Sequence, residues 1–158
     1  MTTIEQAFLD AVLADIAYVD NLTPGLTNDE LKDVIKDRIS EPLAKTIGAR
    51  FEVLVVKNDT STGYQGVVFR DKQSGELYVA NRGTEEIKDF IADGNLAVIT
   101  GVASAQTASM VNWWEQISNP ASTTVPQIKP GIIDQFVSLP PALATGEIAT
   151  ALDQAGGK

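Results

Sequence analysis

The chain has 158 residues, 44% of them hydrophobic, enough to pack a core and within the usual span of about 100 to 200 residues for one domain. Its 21 acidic residues outnumber 12 basic ones for a net charge of -9, a balance that repels phosphate backbones and anionic membranes at long range and excludes nucleic acid as a partner. Histidine and cysteine are both absent, which excludes disulfides, thiolate metal sites and any proton transfer that needs an imidazole from these residues.

The start, Met1-Thr2-Thr3-Ile4-Glu5-Gln6, lacks the basic stretch and apolar run of a secretory signal, and no apolar stretch approaches the roughly 18 residues of a membrane span. Ile4, Ala7, Phe8, Ala11, Val12, Ile16 and Val19 recur close to a 3.6-residue period and predict an amphipathic helix, with Thr3 and Gln6 spaced as a capping box. After Pro24-Gly25, Thr27 and Glu30 repeat that spacing, and Leu31, Val34, Ile35 and Ile39 form a second apolar stripe expected to end around Pro42 to Gly48. Two helices are therefore expected before the first strand.

From Phe51 the period changes to that of strands. Residues 51–56, 64–70 and 76–80 are short β-branched and aromatic runs, separated by turn residues at Asn58 to Gly63 and Asp71 to Gly75. They predict an antiparallel meander. Residues 85–93 fit a short helix, and 102–117 a longer one with Met110, Val111, Trp114 and Ile117 on one face. Three prolines between Ser118 and Pro130 predict a long loop, and a last helix is expected from about Ala142 to Gln154, stopping at Gly156-Gly157. No internal repeat or low-complexity tract occurs.

Several residue groups have plain structural readings. Trp113-Trp114 on a helix points to core packing rather than to an aromatic platform for lipid or sugar. Asp89, Asp93 and Asn95 lack the glycine and glutamate spacing of a calcium loop and read as a solvated helix end, so no metal is expected. Ser104, Ser109 and Ser122 have neither the spacing of a nucleophile turn nor a base nearby in the sequence. Asp59-Thr60-Ser61 resembles the active-site turn of aspartic proteases, in which two aspartates of a dimer share a proton. Its flanks Lys57, Asn58, Thr62 and Gly63 instead describe an exposed hairpin tip.

The run from Leu77 to Asp93 contains Arg82-Gly83-Thr84-Glu85 directly after a strand, and Asp89-Phe90 a few residues on. By itself this is a strand-to-helix turn with Thr84 as N-cap. In its context it resembles the class 3 lipases, whose members often read apolar-x-x-Phe-Arg-Gly-Ser/Thr followed by Asp/Asn-Trp. Asn81 stands where that family commonly has an aromatic residue, and Phe90 where it commonly has tryptophan. The match is strongest over residues 64–95.

The resemblance implies an α/β chain: a partial α/β-hydrolase fold with N-terminal helices, antiparallel hairpin strands and following helices. It implies one domain over 1–158, helical over 1–48, with strands over 49–81, an oxyanion loop and helix over 82–95, and helices with a Pro-rich loop over 96–158. Thr84 would donate its backbone N–H, and its hydroxyl, to the oxyanion formed when an ester is attacked, and Gly83 would let the turn form. Arg82 would brace the loop by pairing with Asp89 or Asp93. The implied activity is that of a serine lipase or esterase acting on carboxylic esters, with lipids as the substrate class and no cofactor. The family's Gly-His-Ser-x-Gly turn and its histidine are not among these residues, so the chain is expected to supply the oxyanion side, to be inactive alone, and to need the remainder of a lipase domain in cis or in trans. Self-association through exposed apolar surface is a further expectation. Bacterial lipases that this chain resembles include secreted ones without a cleaved signal, which leaves localisation open. The alternative reading is a non-catalytic binding module whose sheet edge pairs with a partner.

Overall fold

The computed structural model describes residues 3–82, 96–131 and 135–156. The chain is mixed α/β and falls into two compact units, Met1–Lys57 with Gln65–Arg82, and Asn58–Tyr64 with Gly83–Lys158.

The first unit begins with α1, Ile4–Ile16, then α2, Asn28–Ile35, and α3, Glu41–Arg50. The expected capping box at Thr27 and Glu30 forms in full, each residue's side chain accepting from the other's backbone N–H. At Thr3 only half of it forms. Thr3 Oγ1 accepts from the Gln6 N–H, while the Gln6 amide donates to Asp10 instead of turning back to the cap.

Three helices, not two, precede the sheet. The sequence reading ended the helical region at Pro42 to Gly48, where α3 lies. Pro42 sits in the first turn, where its missing N–H has no intrahelical partner to lose. Gly48 is inside the helix because α2 passes against it: a Cβ there would come within 2.6 Å of the Asn28 carbonyl oxygen.

The strands β1 (Phe51–Asp59), β2 (Tyr64–Asp71) and β3 (Leu77–Arg82) form a sheet in that order, each running one to three residues past its expected end. β2 and β3 are antiparallel, with Gln65 opposite Arg82 and Phe69 opposite Tyr78. Alternation along the strands sends Phe51, Val53, Val67, Phe69, Tyr78 and Ala80 into one core with Leu9, Val12, Leu13 and Ile16 of α1, Leu31 and Ile35 of α2, and Ala44 and Ile47 of α3. Phe51 and Tyr78 meet edge to face, with ring centroids 5.5 Å apart. The buried carboxylate of Asp71 anchors the β2–β3 turn. It accepts from Arg50 at 2.8 Å and from the backbone of Gln73 and Ser74. Those donors hold its pKa below the usual carboxylate value, although burial pushes the other way.

In the second unit, α4 (Leu96–Ser118) is followed by β4 (Thr124–Pro130), β5 (Phe136–Leu143) and α5 (Glu147–Gly156). The loop expected over Ser118 to Pro130 is thus strand from Thr124 on, paired antiparallel with β5, which corrects the loop in the plan for 96–158, while helices at both ends of that span form. Three of the four prolines in this hairpin gather where the ladder is already broken. Pro126 lies at the register shift between Val125 and Gln127, and Pro140-Pro141 fall opposite it, between Leu139 and Ala142. A proline, which cannot donate to a ladder, is tolerated at such an irregularity and along the outer edges of a two-stranded sheet. Asn112 fixes the hairpin to α4: its amide donates to the Ile128 carbonyl at 2.7 Å and accepts from the Ile128 N–H at 2.8 Å. One side chain so imitates a neighbouring strand.

The last helix starts at Glu147 rather than near Ala142, which belongs to β5. Gly146, at φ +65°, makes the break, and a Cβ there would come within 2.8 Å of the Ala121 nitrogen. The buried face of α4 also differs from expectation. Gln106, Trp113 and Ile117 are buried, whereas Trp114 is 40% exposed and Trp113 only 5%. Trp113 packs edge-on against Tyr64 at 5.9 Å, which supports core packing for that ring. The helix expected over 85–93 lies outside the described residues.

Candidate functional site

Arg82 ends β3, and its surroundings form the described foot of the candidate oxyanion turn. Gly83, Thr84, Asp89, Asp93 and Asn95 lie outside the described residues. The antiparallel register puts Gln65 beside Arg82, and Arg82 Nη1 donates to Gln65 Oε1 at 3.2 Å and to Asp20 Oδ1 at 3.0 Å. Its guanidinium also stacks 5.4 Å from the centre of the Tyr18 ring. Arg38 lies 5.2 Å from the same ring and donates twice to Asp15 Oδ1, at 3.0 and 2.8 Å. Tyr18 therefore serves two cations, each also held by a carboxylate.

The Asp20 side chain is 84% exposed, so this ion pair adds only some tenths of a kcal/mol, about 0.2 to 1 for an exposed pair. Position is its larger effect. Sheet register, an aromatic ring and a carboxylate converge on Arg82 and hold its side chain at the end of the described strand. Sequence reading assigned Arg82 a bracing role but sought its partners at Asp89 and Asp93. The described partners come from the segment after α1 and from the neighbouring strand. Gln65 was readable once the hairpin register was known, whereas Tyr18 and Asp20 carried no signal.

A second constellation lies in the second unit. The hairpin tip turns on Asp59, whose carbonyl accepts from the Gly63 N–H at 2.8 Å, with Gly63 at φ +72°. Asp59 Oδ1 accepts from the Ser61 hydroxyl at 2.6 Å and the Ser61 N–H at 3.1 Å, and Oδ2 accepts from the Ser109 hydroxyl at 2.9 Å. Thr62 Oγ1 is 3.2 Å from Ser109 Oγ, and the Gln106 amide donates to the Thr62 carbonyl at 3.1 Å. The Ser61 hydroxyl, followed by those of Ser109 and Thr62, lowers the Asp59 pKa to about 2 against the opposing effect of burial. The result is an ionised acceptor tying the hairpin tip to α4.

Ser109 thus has a carboxylate beside it that sequence spacing did not reveal, from a residue 50 positions away. At neutral pH a group with a pKa of about 2 has little affinity for a serine proton. Ser109 is accordingly held as a hydrogen-bond donor. Ser104 and Ser122 have no part in the described cluster. Ser122 adopts φ +67° in the turn before β4, with its N–H on the Ala144 carbonyl.

Compared with protein-family models, curated proteins and solved structures, the chain matches none of them.

Proposed function

We propose that these residues are the oxyanion side of a serine ester hydrolase of the class 3 lipase type, acting on carboxylic esters with lipids as the substrate class. The observation that carries the reading is the run Leu77-Tyr-Val-Ala-Asn-Arg82-Gly83-Thr84, in which the Arg-Gly-Thr turn follows a strand. β3 reaching Arg82, with that side chain held by Gln65, Asp20 and the Tyr18 ring, supports it.

In this reading Thr84 donates its backbone N–H to the developing oxyanion, and Gly83 lets the chain turn. Arg82 is a positioning residue that acts through the backbone it anchors. The chain contains no histidine, so the general base must come from residues beyond these 158. The partial α/β-hydrolase fold is part of the same proposal, as is inactivity of the chain alone.

The test is hydrolysis of a short-chain chromogenic ester by this chain and by the same chain extended with its natural downstream sequence. Activity is expected only in the extended form, and a stably folded extended form without activity refutes the reading. In that form Thr84→Pro, which removes the N–H, should lower kcat on the order of a hundredfold to a thousandfold with KM little changed. Thr84→Ser, which keeps both donors, should retain activity.

A further inference from the structure

A groove of about 370 Å³ in the first unit is lined on one side by Gln6, Asp10, Leu13 and Ala14 of α1, and on the other by the consecutive residues Glu76 to Asn81. Successive side chains of a strand point to opposite faces. A groove that touches every residue of such a run follows the edge of the strand and not one of its faces. Among the described residues β3 is the last strand of its sheet, so this edge is the one turned away from β2. The opposite wall is one stripe of α1, because positions i, i+4, i+7 and i+8 share a side of a helix.

A channel between a strand edge and a helix receives extended peptide by strand addition. The ligand's main chain pairs with the edge, and its alternate side chains meet the helix.

Charge selects the ligand. Among the described residues, the groove's lining contains the carboxylates of Asp10 and Glu76 and no lysine or arginine. Neutral polar groups flank the two carboxylates: the Gln6 amide donates to Asp10 Oδ1 at 3.1 Å, and the Tyr78 hydroxyl donates to Glu76 Oε2 at 3.2 Å and lies 3.5 Å from Gln6 Oε1. Leu13, Leu77 and Val79 provide the apolar part, Val79 being 41% exposed. We propose that the α1–β3 groove is a docking site for an extended peptide segment of another protein, carrying lysine or arginine at alternate positions and apolar residues between them. The segment pairs its main chain with Leu77 to Ala80 and places its cations against Asp10 and Glu76. A second copy of this chain is a poor occupant, since both copies carry a charge of -9 and would set carboxylate against carboxylate. The proposal rests on the first unit alone and does not depend on ester hydrolysis.

The test titrates the full, isotopically labelled chain with a capped hexapeptide alternating lysine and valine, read by amide chemical shifts and by hydrogen exchange. Two comparison peptides replace lysine by glutamate, or methylate alternate backbone nitrogens. The lysine peptide should saturate and slow amide exchange within Leu77 to Ala80 by about tenfold or more, while neither comparison peptide does so. The double variant Asp10→Asn with Glu76→Gln keeps the side-chain shapes and should weaken binding by about three- to tenfold at low salt, with the difference shrinking as salt rises. Equal binding of the glutamate peptide would overturn the proposal, as would equal binding of the methylated one, or protection falling outside β3. Protection of Leu77 to Ala80 that grows with protein concentration and no peptide would assign the edge to a second copy and also overturn it. Failure of the esterase test leaves these readouts unchanged.

Discussion

Replacing Asp59 by asparagine removes one charge and almost no volume, which makes it a direct probe of how the hairpin tip is held. The folded pKa of about 2 against an ordinary 3.8 is a difference of about 1.8 units, or at most ~2.4 kcal/mol at 1.36 kcal/mol per unit. Partial exposure to water screens part of this, and ~1 to 1.5 kcal/mol is the expected contribution. Because the folded pKa is depressed, the unfolded chain takes up the proton first. The contribution is therefore complete above the unfolded value of 3.8 and is lost as pH falls through about 2. Urea unfolding of the parent and Asp59→Asn at pH 7 should differ by ~1 to 1.5 kcal/mol, and at pH 2 the two curves should nearly coincide. Ser109→Ala, which removes one of the hydroxyl donors, should cost ~0.5 to 1 kcal/mol and be less than additive with Asp59→Asn. A difference below ~0.3 kcal/mol at pH 7, or one that is the same at both pH values, would refute an ionised, hydroxyl-bound Asp59 as the tie.

Two other substitutions test the packing within each unit. Gly48→Ala would ordinarily stabilise a helix by about 1 kcal/mol, yet the new methyl would meet the Asn28 carbonyl at 2.6 Å, and such overpacking costs ~1 to 3 kcal/mol. A net loss in thermal or urea unfolding is expected, whereas Gly156→Ala, with nothing within 4 Å, should be neutral or slightly stabilising. Asn112→Ala leaves both backbone groups of Ile128 without their side-chain partner and should cost ~1 to 3 kcal/mol, with faster amide exchange confined to β4 and β5. Wild-type exchange in that hairpin would show that Asn112 does not hold it.

The sequence by itself determined the elements whose signal is local. Thr27 and Glu30 set the start of α2 because the two groups of a capping box lie three residues apart. The β-branched and aromatic runs from Phe51 to Ala80, broken by turn residues, determined the meander because strand propensity and turn signals are local. Arg82-Gly83-Thr84 after that meander carried the functional reading on the sequence alone. Tertiary structure decided wherever a local rule had a distant exception. Pro42 and Gly48 read as a helix end until α2, packed at Gly48, supplied a reason for glycine inside α3. The prolines between Ser118 and Pro130 read as a loop because the bulge that accommodates Pro126 exists only once β4 and β5 have paired. The choice of Trp113 over Trp114 for the core depended on Tyr64, a residue 49 positions earlier in the chain. Arg82 was singled out in the sequence, but Tyr18 and Asp20, which its guanidinium meets, were not legible there. A guanidinium's partners are selected by distance in space, and only the pairing of β2 with β3 and the packing of α1 on the sheet set those distances.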